Sequence, residues 1–188
     1  MAFGTTGRMM QGEKVTLRAR TEADVPILHG DLYDDVLNRC RDSAKPWRPV
    51  AAGPYSPFTP AAPADTSAAF SVVEAATGEL AGEANLWGID LHNRVGHLGL
   101  SLRPAFRGRG LGTDVVRVLC EYGFAVRGLH RLAIETLADN AAMRGAARSA
   151  GFAEEGTLRA SAWVYGEFID EVYFGLLADE WRSARGRA

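Results

Sequence analysis

The stretch Arg107-Gly108-Arg109-Gly110-Leu111-Gly112-Thr113 decides the fold of this 188-residue chain, because of what flanks it. An apolar run ends before it at Gly99-Leu100-Ser101-Leu102, and Arg103-Pro104 ends that strand. Apolar residues at helical spacing follow it, at Leu111, Val115, Val118, Leu119 and Tyr122. Glycines let the backbone approach a ligand closely, and the unpaired amides of a helix start favour a phosphate group. The stretch therefore predicts an anion site for a nucleotide-type cofactor, to which Arg107 and Arg109 add counter-charge.

Two other phosphate-binding motifs do not fit this spacing. A dinucleotide-binding fingerprint would place its third glycine where Thr113 stands, and no early strand followed by an acidic residue supports it. A phosphate loop of the nucleoside triphosphatases ends in Gly-Lys-Ser/Thr, and the turn contains no lysine. One alternative stays open, which is a helix start rich in glycine and arginine that binds no ligand.

The composition is that of one globular domain, with 47% hydrophobic and 23% charged residues. We expect a single domain over residues 13–181, between a flexible N-terminal tail (1–12) and a C-terminal tail (182–188). The formal net charge of −2 and the dispersed basic residues predict no nucleic-acid partner and no attraction to anionic membranes. The two cysteines, Cys40 and Cys120, indicate neither a disulfide framework nor a zinc site, so no metal is predicted.

Signals for export or membrane insertion are not found in the sequence. No apolar run approaches the roughly 18–20 residues that a membrane span needs. Residues 1–11 lack the apolar centre of a secretory signal. Together with the cysteine usage, these observations predict a cytoplasmic protein without a membrane partner.

Hydrophobic periodicity predicts alternating strands and helices. A short strand at 14–18 is followed by a helix that Thr21 caps and whose apolar stripe is Ile27, Leu28, Leu32 and Val36. The later elements are strands at 69–73, 80–89, 94–102 and 131–137, helices at 111–127 and from Asp139 or Asn140 to 150, and a hairpin at 152–177. This order predicts an α/β (α+β) fold with a mixed, mostly antiparallel central sheet flanked by helices.

A long irregular segment, residues 41–66, interrupts this order. Prolines recur in it at every third residue, at Pro54, Pro57, Pro60 and Pro63. This spacing favours an extended polyproline conformation and excludes an ordinary helix. Aromatic residues argue against pure disorder; they include Trp47, Tyr55 and Phe58. Three interpretations stay open: a segment packed over a site, a plain surface wrap, or a polyproline ligand for another domain.

The glycine-rich turn resembles the cofactor motif of the GNAT superfamily of acetyl-coenzyme A-dependent N-acetyltransferases. That motif, Arg/Gln-x-x-Gly-x-Gly/Ala, lies between the fourth strand and a helix, and it is filled here by Arg107, Gly110 and Gly112. Gly108 is the common extra glycine. Downstream the family shows an asparagine, a short helix and then Gly-Phe, which match Asn140 and Gly151-Phe152. The predicted sheet and helices are thus expected to form a GNAT-like fold.

Two further stretches are similar to the RimJ/RimL-like branch, which acetylates protein N-terminal amines and, in other members, small amines. The first is the opening Leu17-Arg18-Ala19-Arg20-Thr21-Glu22-Ala23-Asp24. The second is the tail, with Leu158, Trp163, Tyr165-Gly166, Asp170, Tyr173, Leu176-Leu177 and Glu180-Trp181. The resemblance covers about Val15 to Leu37 and Phe70 to Trp181, and it leaves out the proline-rich segment.

The resemblance implies acetyl-CoA as the cofactor. Amides of Arg107, Gly108, Arg109, Gly110, Leu111, Gly112 and Thr113 would bind its pyrophosphate at the helix start. Backbone groups of Leu100, Ser101 and Leu102 would hold the pantetheine arm, and an amide of this strand would polarise the thioester carbonyl. Asn140 would hydrogen-bond the arm or an ordered water nearby.

An amine must lose a proton before it attacks, so a base is expected, acting directly or through water. His97 is the preferred candidate, since it stands where RimJ/RimL-like sequences often carry glutamate and since histidine titrates near neutral pH. Strand alternation places His97 on one face with Gly99 and Ser101. A histidine on a solvated face is the alternative. Glu83 is the second candidate, or a cross-strand partner for an arginine, and Asn85 would orient a water or the acceptor.

The usual general acids of the family are missing. Many members have a tyrosine seven residues after the asparagine, where Ala147 stands, and RimJ/RimL-like sequences often have a serine three after it, where Met143 stands. Neither side chain can protonate a thiolate. Three alternatives stay open: water protonates the thiolate, the thiolate leaves unassisted, or a tyrosine from elsewhere supplies the proton. The candidate tyrosines are Tyr173, Tyr165 and Tyr55.

The acceptor is expected between the proline-rich segment and the last hairpin. The predicted substrate-binding residues are Trp47, Tyr55, Phe58, Asn85, Trp163 and Asp170. Asp170 would attract a cationic amine or instead cap a turn, and Trp163 and Tyr165 would alternatively serve sheet packing.

The resemblance implies an N-acetyltransferase that moves an acetyl group directly to an amine, either a protein N-terminus or a small molecule. A homodimer is expected from the habit of the family. The alternative from another class is a non-catalytic acyl-CoA-binding regulatory or structural protein with the same fold, because Ala147 and Met143 replace the acid.

Overall fold

The computed structural model describes residues 10–42 and 45–186, which form an eight-stranded sheet with helices packed on it. The strands are β1 (Met10–Gln11), β2 (Val15–Ala19), β3 (Ala68–Glu74), β4 (Leu80–Asp90), β5 (Val95–Leu102), β6 (Arg131–Leu137), β7 (Ala153–Val164) and β8 (Glu167–Leu177). The helices are α1 (Val25–Leu28), α2 (Val36–Asp42), α3 (Leu111–Glu121), α4 (Ala141–Ser149) and α5 (Ala178–Arg185).

The strands lie in the order β1-β2-β3-β4-β5-β6-β8-β7. Among the described pairs, β5 and β6 run parallel and every other pair is antiparallel. The predicted mixed, mostly antiparallel sheet flanked by helices is therefore confirmed. No helix in the described ranges is long and apolar enough to cross a bilayer.

The two ends of the described chain are more regular than the predicted tails. Met10 and Gln11 pair with β2, and α5 extends to Arg185. Strand and helix thus enter the ranges that the sequence assigns to flexible tails. Positions 1–9 and 187–188 of those predictions, and 43–44 of the proline-rich segment, lie outside the described residues.

The first helical segment is broken where the stripe predicts one continuous helix. A 3₁₀ turn (Glu22–Asp24) leads into α1, and a wide π turn (His29–Tyr33) follows it before α2 begins. A π turn has more residues than an α turn, so it rotates the buried side along the chain. Ile27, which precedes the π turn, is 42% exposed, whereas the buried positions of this segment include Leu28, Leu32 and Tyr33.

The main core lies between one face of the sheet and helices α3 and α4. The sheet side of this core includes Ala84, Leu86, Leu98, Leu132, Ile134 and Phe174, and the helix side includes Leu111, Val115, Leu119, Ala146 and Ala147. Side chains alternate along a strand, so the neighbours of these residues point to the opposite face. That opposite face carries the polar residues of the site described below.

The proline-rich segment packs against the first helical segment. Phe58 is 3% exposed, in a small core with Leu28, Leu32, Tyr33 and Leu80. Hydrogen bonds hold the segment at further points: Ser56 Oγ to His29 Nδ1 (2.8 Å), Trp47 Nε1 to the Tyr33 carbonyl (3.1 Å), and the Tyr33 hydroxyl to the Arg48 carbonyl (2.7 Å). Because these aromatic groups are used inside the domain, the structure does not support a polyproline ligand for another domain.

Asp24 is a buried carboxylate that joins the first helical segment to the sheet. Its oxygens accept hydrogen bonds from the Arg18 guanidinium at 2.6 and 2.7 Å, from the Thr21 amide at 2.8 Å and from Ser71 Oγ at 2.9 Å. Burial alone would raise the pKa of the Asp24 carboxyl, but these hydrogen bonds outweigh burial and hold the pKa well below its ordinary value.

Asp24→Asn is expected to lower the free energy of unfolding at neutral pH by about 3 kcal/mol, because Arg18 keeps its charge and loses its partner. The pKa of Asp24 in the folded state lies below its unfolded value of about 3.9. The ionised carboxylate therefore stabilises the fold fully above that unfolded pKa. The stabilisation is lost as the pH falls through the folded-state pKa. Urea unfolding of both proteins should therefore show a difference that shrinks below about pH 4. A difference that stays constant down to about pH 3 would contradict this role.

Candidate active site

β5 and β6 pair only at their beginnings and then separate. Their parallel register runs through Val95–Arg131, Gly96–Leu132 and His97–Ala133. Beyond His97, β5 stays paired with β4 as far as Leu102, and β6 stays paired with β8 as far as Leu137, but the two strands no longer pair with each other. Within the described chain this leaves the β6-facing backbone of residues 98–102 open. An extended arm can lie there and use the free strand edge, as in β-strand addition.

The glycine-rich turn (residues 107–113) lies at the open end of this gap. Gly108 and Gly110 have φ angles of 71° and 76°, in the left-handed region that favours glycine. The amides of residues 108–110 have no hydrogen-bond partner among the described residues, and the turn is exposed up to α3. Free amides at a helix start form a site for a phosphate group. The turn is therefore open to an anion, and not buried by protein.

The two arginines of the turn are engaged with protein rather than free. Arg107 donates from Nε to the Leu102 carbonyl at 2.9 Å and from its guanidinium to Asn38 Oδ1 at 2.7 Å. Arg109 pairs with Glu74 at 2.7 Å. These contacts fix the conformation of the turn; the partners of Arg107 are neutral, so its positive charge still adds counter-charge there, as predicted.

Lys14 is a cation at the turn that the sequence pattern does not single out. Its Nζ donates to the Arg109 carbonyl at 3.2 Å, and a Cβ atom at Gly110 would lie 3.0 Å from it. Asp114, in the first turn of α3, accepts hydrogen bonds from the amides of Lys14 and Val15 at 2.7 and 3.0 Å. These bonds fix the start of β2 beside the turn. The contacts span about 100 positions of sequence, which local periodicity cannot reveal.

Helix α2 contacts both rims of the gap. On one side Asp42 accepts a hydrogen bond from Ser101 Oγ of β5. On the other, Arg41 pairs with Asp139, which follows β6, at 2.6 Å. Asn38 of the same helix accepts from Arg107. The predicted cofactor residue Ser101 therefore has its side chain bound to α2, and its backbone remains for a ligand.

Glu83 and Asn85 lie on the polar face of β4, opposite Ser101 and Gly99 of β5. Glu83 accepts a hydrogen bond from Arg20 at 2.9 Å, so it is the arginine partner that the sequence left open as an alternative. Burial raises the pKa of the Glu83 carboxyl, and the Arg20 guanidinium opposes that rise. Asn85 Oδ1 is buried without a hydrogen-bond partner in the described structure. It rests against Gly99, where a Cβ atom would meet it at 2.7 Å.

His97 lies on this same polar face, at the last paired position before the gap. Its ring stacks on Trp87 of β4, with 4.6 Å between the ring centroids. Its Nδ1 lies 2.9 Å from Oε1 of Glu135, which belongs to β6. The side chain is 26% exposed, so the ring is accessible from the polar face. The alternative of a histidine on a solvated strand face stays open, with Trp87 and Glu135 as the neighbours of the ring.

Asn140 is the N-cap of α4. Its Oδ1 accepts a hydrogen bond from the Met143 amide at 3.1 Å, which assigns the cap to Asn140 rather than Asp139. The other end of the amide has no protein partner within the described ranges, so it can donate to a ligand. Ala147, which replaces the usual tyrosine of the family, is fully buried in the main core.

Two substitutions separate the capping role of Asn140 from a role in binding. Asn140→Ala is expected to lower the free energy of unfolding by about 1 kcal/mol, because the cap is lost. Asn140→Asp keeps the acceptor for Met143 and loses the free amide donor, so stability is retained. Both variants are expected to bind acetyl-CoA roughly fivefold more weakly, the effect of one hydrogen bond. Unchanged affinity of Asn140→Asp in calorimetry would remove Asn140 from the binding residues.

The predicted acceptor residues are not brought together at one place. Phe58 is 3% exposed in the small core, so it offers no wall to a substrate, and that prediction is wrong. Trp47 packs beside it, whereas Tyr55 is 84% exposed on the loop. Trp163 is 61% exposed and packs edge-to-face on Phe168 at the tip of the last hairpin. Asp170 Oδ1 accepts a hydrogen bond from the Ala160 amide at 2.8 Å, so it stabilises a bulge.

Of the three candidate tyrosines, Tyr173 lies beside the histidine site. It pairs with Glu135 across β6 and β8 and shares the polar face. Burial, together with the carboxylates of Glu135 and Glu171, raises the pKa of the Tyr173 hydroxyl. The hydroxyl therefore keeps its proton at neutral pH. Tyr165 is in the hairpin turn and 66% exposed, and Tyr55 is on the loop.

Comparison with known proteins adds to this geometry. Residues 14–153 match the family model described as "Acetyltransferase (GNAT) domain". The Bacillus subtilis (strain 168) protein named "Putative ribosomal N-acetyltransferase YdaF" is 34% identical over 108 residues, which are 57% of this chain and 59% of that protein. The match therefore spans less than two thirds of this relative's own length.

Two solved structures share the fold. A crystal structure named "Probable acetyltransferase" has a TM-score of 0.76 at 24% identity, over 93% of this chain and 98% of that one. The spermidine N-acetyltransferase of Vibrio cholerae, solved in complex with CoA and spermine, has a TM-score of 0.74 at 20% identity, over 90% of this chain and 98% of that one. At these identities the likeness shows the fold alone.

Acetyl-CoA is the cofactor of GNAT acetyltransferases, and two features of this chain fit it. The free amides of residues 108–110 suit its pyrophosphate, and the open edge of residues 98–102 suits its extended arm. The family model covers most of the described chain, including β2 to β6, the glycine-rich turn and α4. The chain belongs to the GNAT acetyltransferase family.

Proposed function

We propose that this protein is an acetyl-CoA-dependent N-acetyltransferase that transfers the acetyl group directly to an amine. The observation that carries the proposal is the separation of β5 and β6 at His97, with the glycine-rich turn at the open end of the gap. A cofactor bound at the turn and along β5 ends beside a histidine on the polar face. This arrangement supports a proposal in which the acetyl group lies next to a proton acceptor.

Each part of the gap has a role in this proposal. The turn amides and Lys14 bind the pyrophosphate, the backbone of Leu100, Ser101 and Leu102 holds the arm, and Asn140 donates a hydrogen bond from α4. The bound cofactor supplies a thioester, an acyl group already activated for attack. Holding the amine next to it provides a large share of the acceleration.

His97 is the proposed base, because it lies at the closed end of the gap and its ring is held by Trp87. Glu83 remains the second candidate, but its carboxylate already pairs with Arg20. Tyr173 is the proposed proton donor in place of the missing acid, since it keeps its proton and shares the face of His97. Asn85, with its unpartnered Oδ1, is proposed to accept a hydrogen bond from the acceptor amine.

The acceptor class follows from the RimJ/RimL-like resemblance, and we propose a protein N-terminal amine or a small-molecule amine. The name of YdaF supports the first class, and the spermine complex of the Vibrio cholerae enzyme supports the second. We further propose that the protein is a homodimer and acts in the cytoplasm. Trp163 and Asp170 of the last hairpin remain candidates for acceptor contacts only at the edge of the site. Trp163 already packs on Phe168, and Asp170 already accepts a hydrogen bond from the Ala160 amide.

A thiol-release assay tests this function. The protein is incubated with acetyl-CoA and a panel of polyamines, monoamines and short peptides with free N-termini, and thermal shift with acetyl-CoA is measured in parallel. Stabilisation together with release of CoA on at least one amine supports the proposal. Stabilisation without turnover on any amine would favour the non-catalytic acyl-CoA-binding protein. If the protein shows no stabilisation and no release of CoA, both interpretations are contradicted.

A further inference from the structure

The His97 ring is confined by β4. Trp87 stacks on it with an interplanar angle of 27°, and at Gly88 a Cβ atom would lie 3.2 Å from His97 Cδ2. Gly88 has a φ of 57°, so glycine provides both the turn of the backbone and the space for the ring. The plane of the imidazole is therefore set by its neighbours. What remains to be set is which nitrogen carries the proton.

The two nitrogens of this ring have different surroundings. Nδ1 is buried, and it has no hydrogen bond of acceptable geometry with any described residue. The whole side chain is nevertheless 26% exposed, so the exposed edge of the ring lies away from Nδ1. A proton acceptor for a substrate has to be on the exposed edge, so Nε2, which lies 3.9 Å from the position of a Cβ atom at Gly88, is the nitrogen left for the acceptor.

Glu135 is the group that faces Nδ1. It lies on β6 two residues after Ala133, the partner of His97, so it shares the polar face. Its Oε1 is 2.9 Å from Nδ1, although the contact is out of line for a hydrogen bond. Catalytic hydrogen bonds are often poorly aligned in free enzymes and tighten when the substrates bind. Among the charged groups in the described part of the chain, the Glu135 carboxylate is thus the one within bonding distance of Nδ1.

We propose that Glu135 is a positioning residue for His97, which accepts the Nδ1 proton and so leaves the Nε2 lone pair free for the acceptor amine. This inference rests on the proposed function of His97. A carboxylate behind an imidazole fixes its tautomer and stabilises the imidazolium that forms. Trp87 fixes the plane of the ring, and Glu135 determines which ring nitrogen carries the proton.

The proton balance of the transfer is complete with these groups. The amine enters the site neutral, having left its ammonium proton in the solvent, and gives one proton to Nε2 while its nitrogen bonds to the acetyl carbon and the carbon–sulfur bond breaks. The imidazolium, with one proton on each nitrogen, is then held beside the Glu135 carboxylate. It returns the Nε2 proton to the departing thiolate, directly or through Tyr173, and the neutral tautomer with the proton on Nδ1 is restored.

The first test measures the tautomer of His97 in the free protein and does not depend on activity. Protein labelled with ¹⁵N-histidine is compared with Glu135→Gln, and the His97 signals are assigned by their loss in His97→Gln. The native protein is expected to show the neutral ring protonated at Nδ1. Glu135→Gln is expected to shift the population towards Nε2–H, because a neutral amide can present either its oxygen or its NH₂ group. The same tautomer in both proteins would overturn the proposal.

The second test separates positioning from binding in the kinetics. Glu135→Gln is expected to lower kcat by roughly 10- to 100-fold, within the usual range for general-base catalysis, while the KM of the amine changes less than about twofold. Glu135→Asp, which keeps the charge one methylene further away, should recover part of the rate. The matched control is Glu167→Gln, the same change of charge at an exposed position of β8, and its kcat should equal that of the native protein.

These experiments distinguish failure of the inference from failure of the proposed function. If the native protein acetylates an amine and Glu135→Gln retains full kcat, the positioning role is wrong and the function stands. If no amine is acetylated, the function fails, and the tautomer measurement still decides whether Glu135 orients the ring. If Glu135→Gln does not fold, Glu135→Ala, which also removes the carboxylate, carries both measurements, with a native-like rate and tautomer counting against the proposal.

Discussion

Gly110→Val is expected to abolish acetyl-CoA binding, with a loss of affinity of roughly 100-fold or more. Gly110 has a φ of 76° and precedes the first residue of α3. A β-branched side chain there strains the turn and covers the surface on which the amides lie, so several hydrogen bonds to a charged group are lost, each worth roughly 1.5–3 kcal/mol. Calorimetry with acetyl-CoA measures the effect, and undiminished affinity would contradict the role of the turn.

The matched control for this variant is Gly128→Val. Gly128 also has a positive φ, of 64°, is exposed, and has open space around a Cβ atom. Both substitutions therefore add a similar backbone strain of about 1–3 kcal/mol. Gly128→Val should lose the same stability and keep its affinity for acetyl-CoA. Equal loss of affinity in both variants would show that strain, and not the turn, is responsible.

His97→Gln is expected to lower kcat by about 100-fold at neutral pH, because the proposed base is removed. The loss should be smaller at alkaline pH, where hydroxide takes over part of the work of the missing base. Steady-state rates across the pH range measure both effects. A pH–rate profile that is unchanged by the substitution would clear His97 of this role and leave Glu83 as the candidate.

His92→Gln is the control for this second experiment. His92 lies exposed in the turn between β4 and β5, where its amide bonds to Asp90 Oδ1 at 2.8 Å. Its side chain has no place in the site, so its replacement should leave kcat unchanged. Acetyl-CoA affinity of His97→Gln should also be unchanged, because the turn and the strand edge that bind the cofactor are intact.

Local sequence chemistry was sufficient to predict the sheet and the glycine-rich turn. Alternation along β5 places His97 on the polar face opposite to Leu98, and the observed register agrees with it. Glycines at 108 and 110 predict positive φ angles, and both are found. These features depend on residues close together in the chain, which is why periodicity and turn preferences identify them.

Contacts between residues far apart in the chain determine the features that the sequence pattern did not predict. The partners of His97 come from two other strands, Trp87 and Glu135, and no local pattern links them. Phe58 looked like a site aromatic because it lies among prolines, yet burial against the first helical segment makes it a core residue. Ile27 likewise belongs to the predicted apolar stripe but is 42% exposed, because the first helical segment packs on the domain through Leu28 and Leu32.

A crystal structure of this protein with coenzyme A tests the central claim most directly. We expect the pyrophosphate on the amides of residues 108–113, the arm along residues 98–102 between β5 and β6, and the sulfur beside the exposed edge of His97. A cofactor bound elsewhere on the protein, or a gap between β5 and β6 that the chain itself fills, would contradict it.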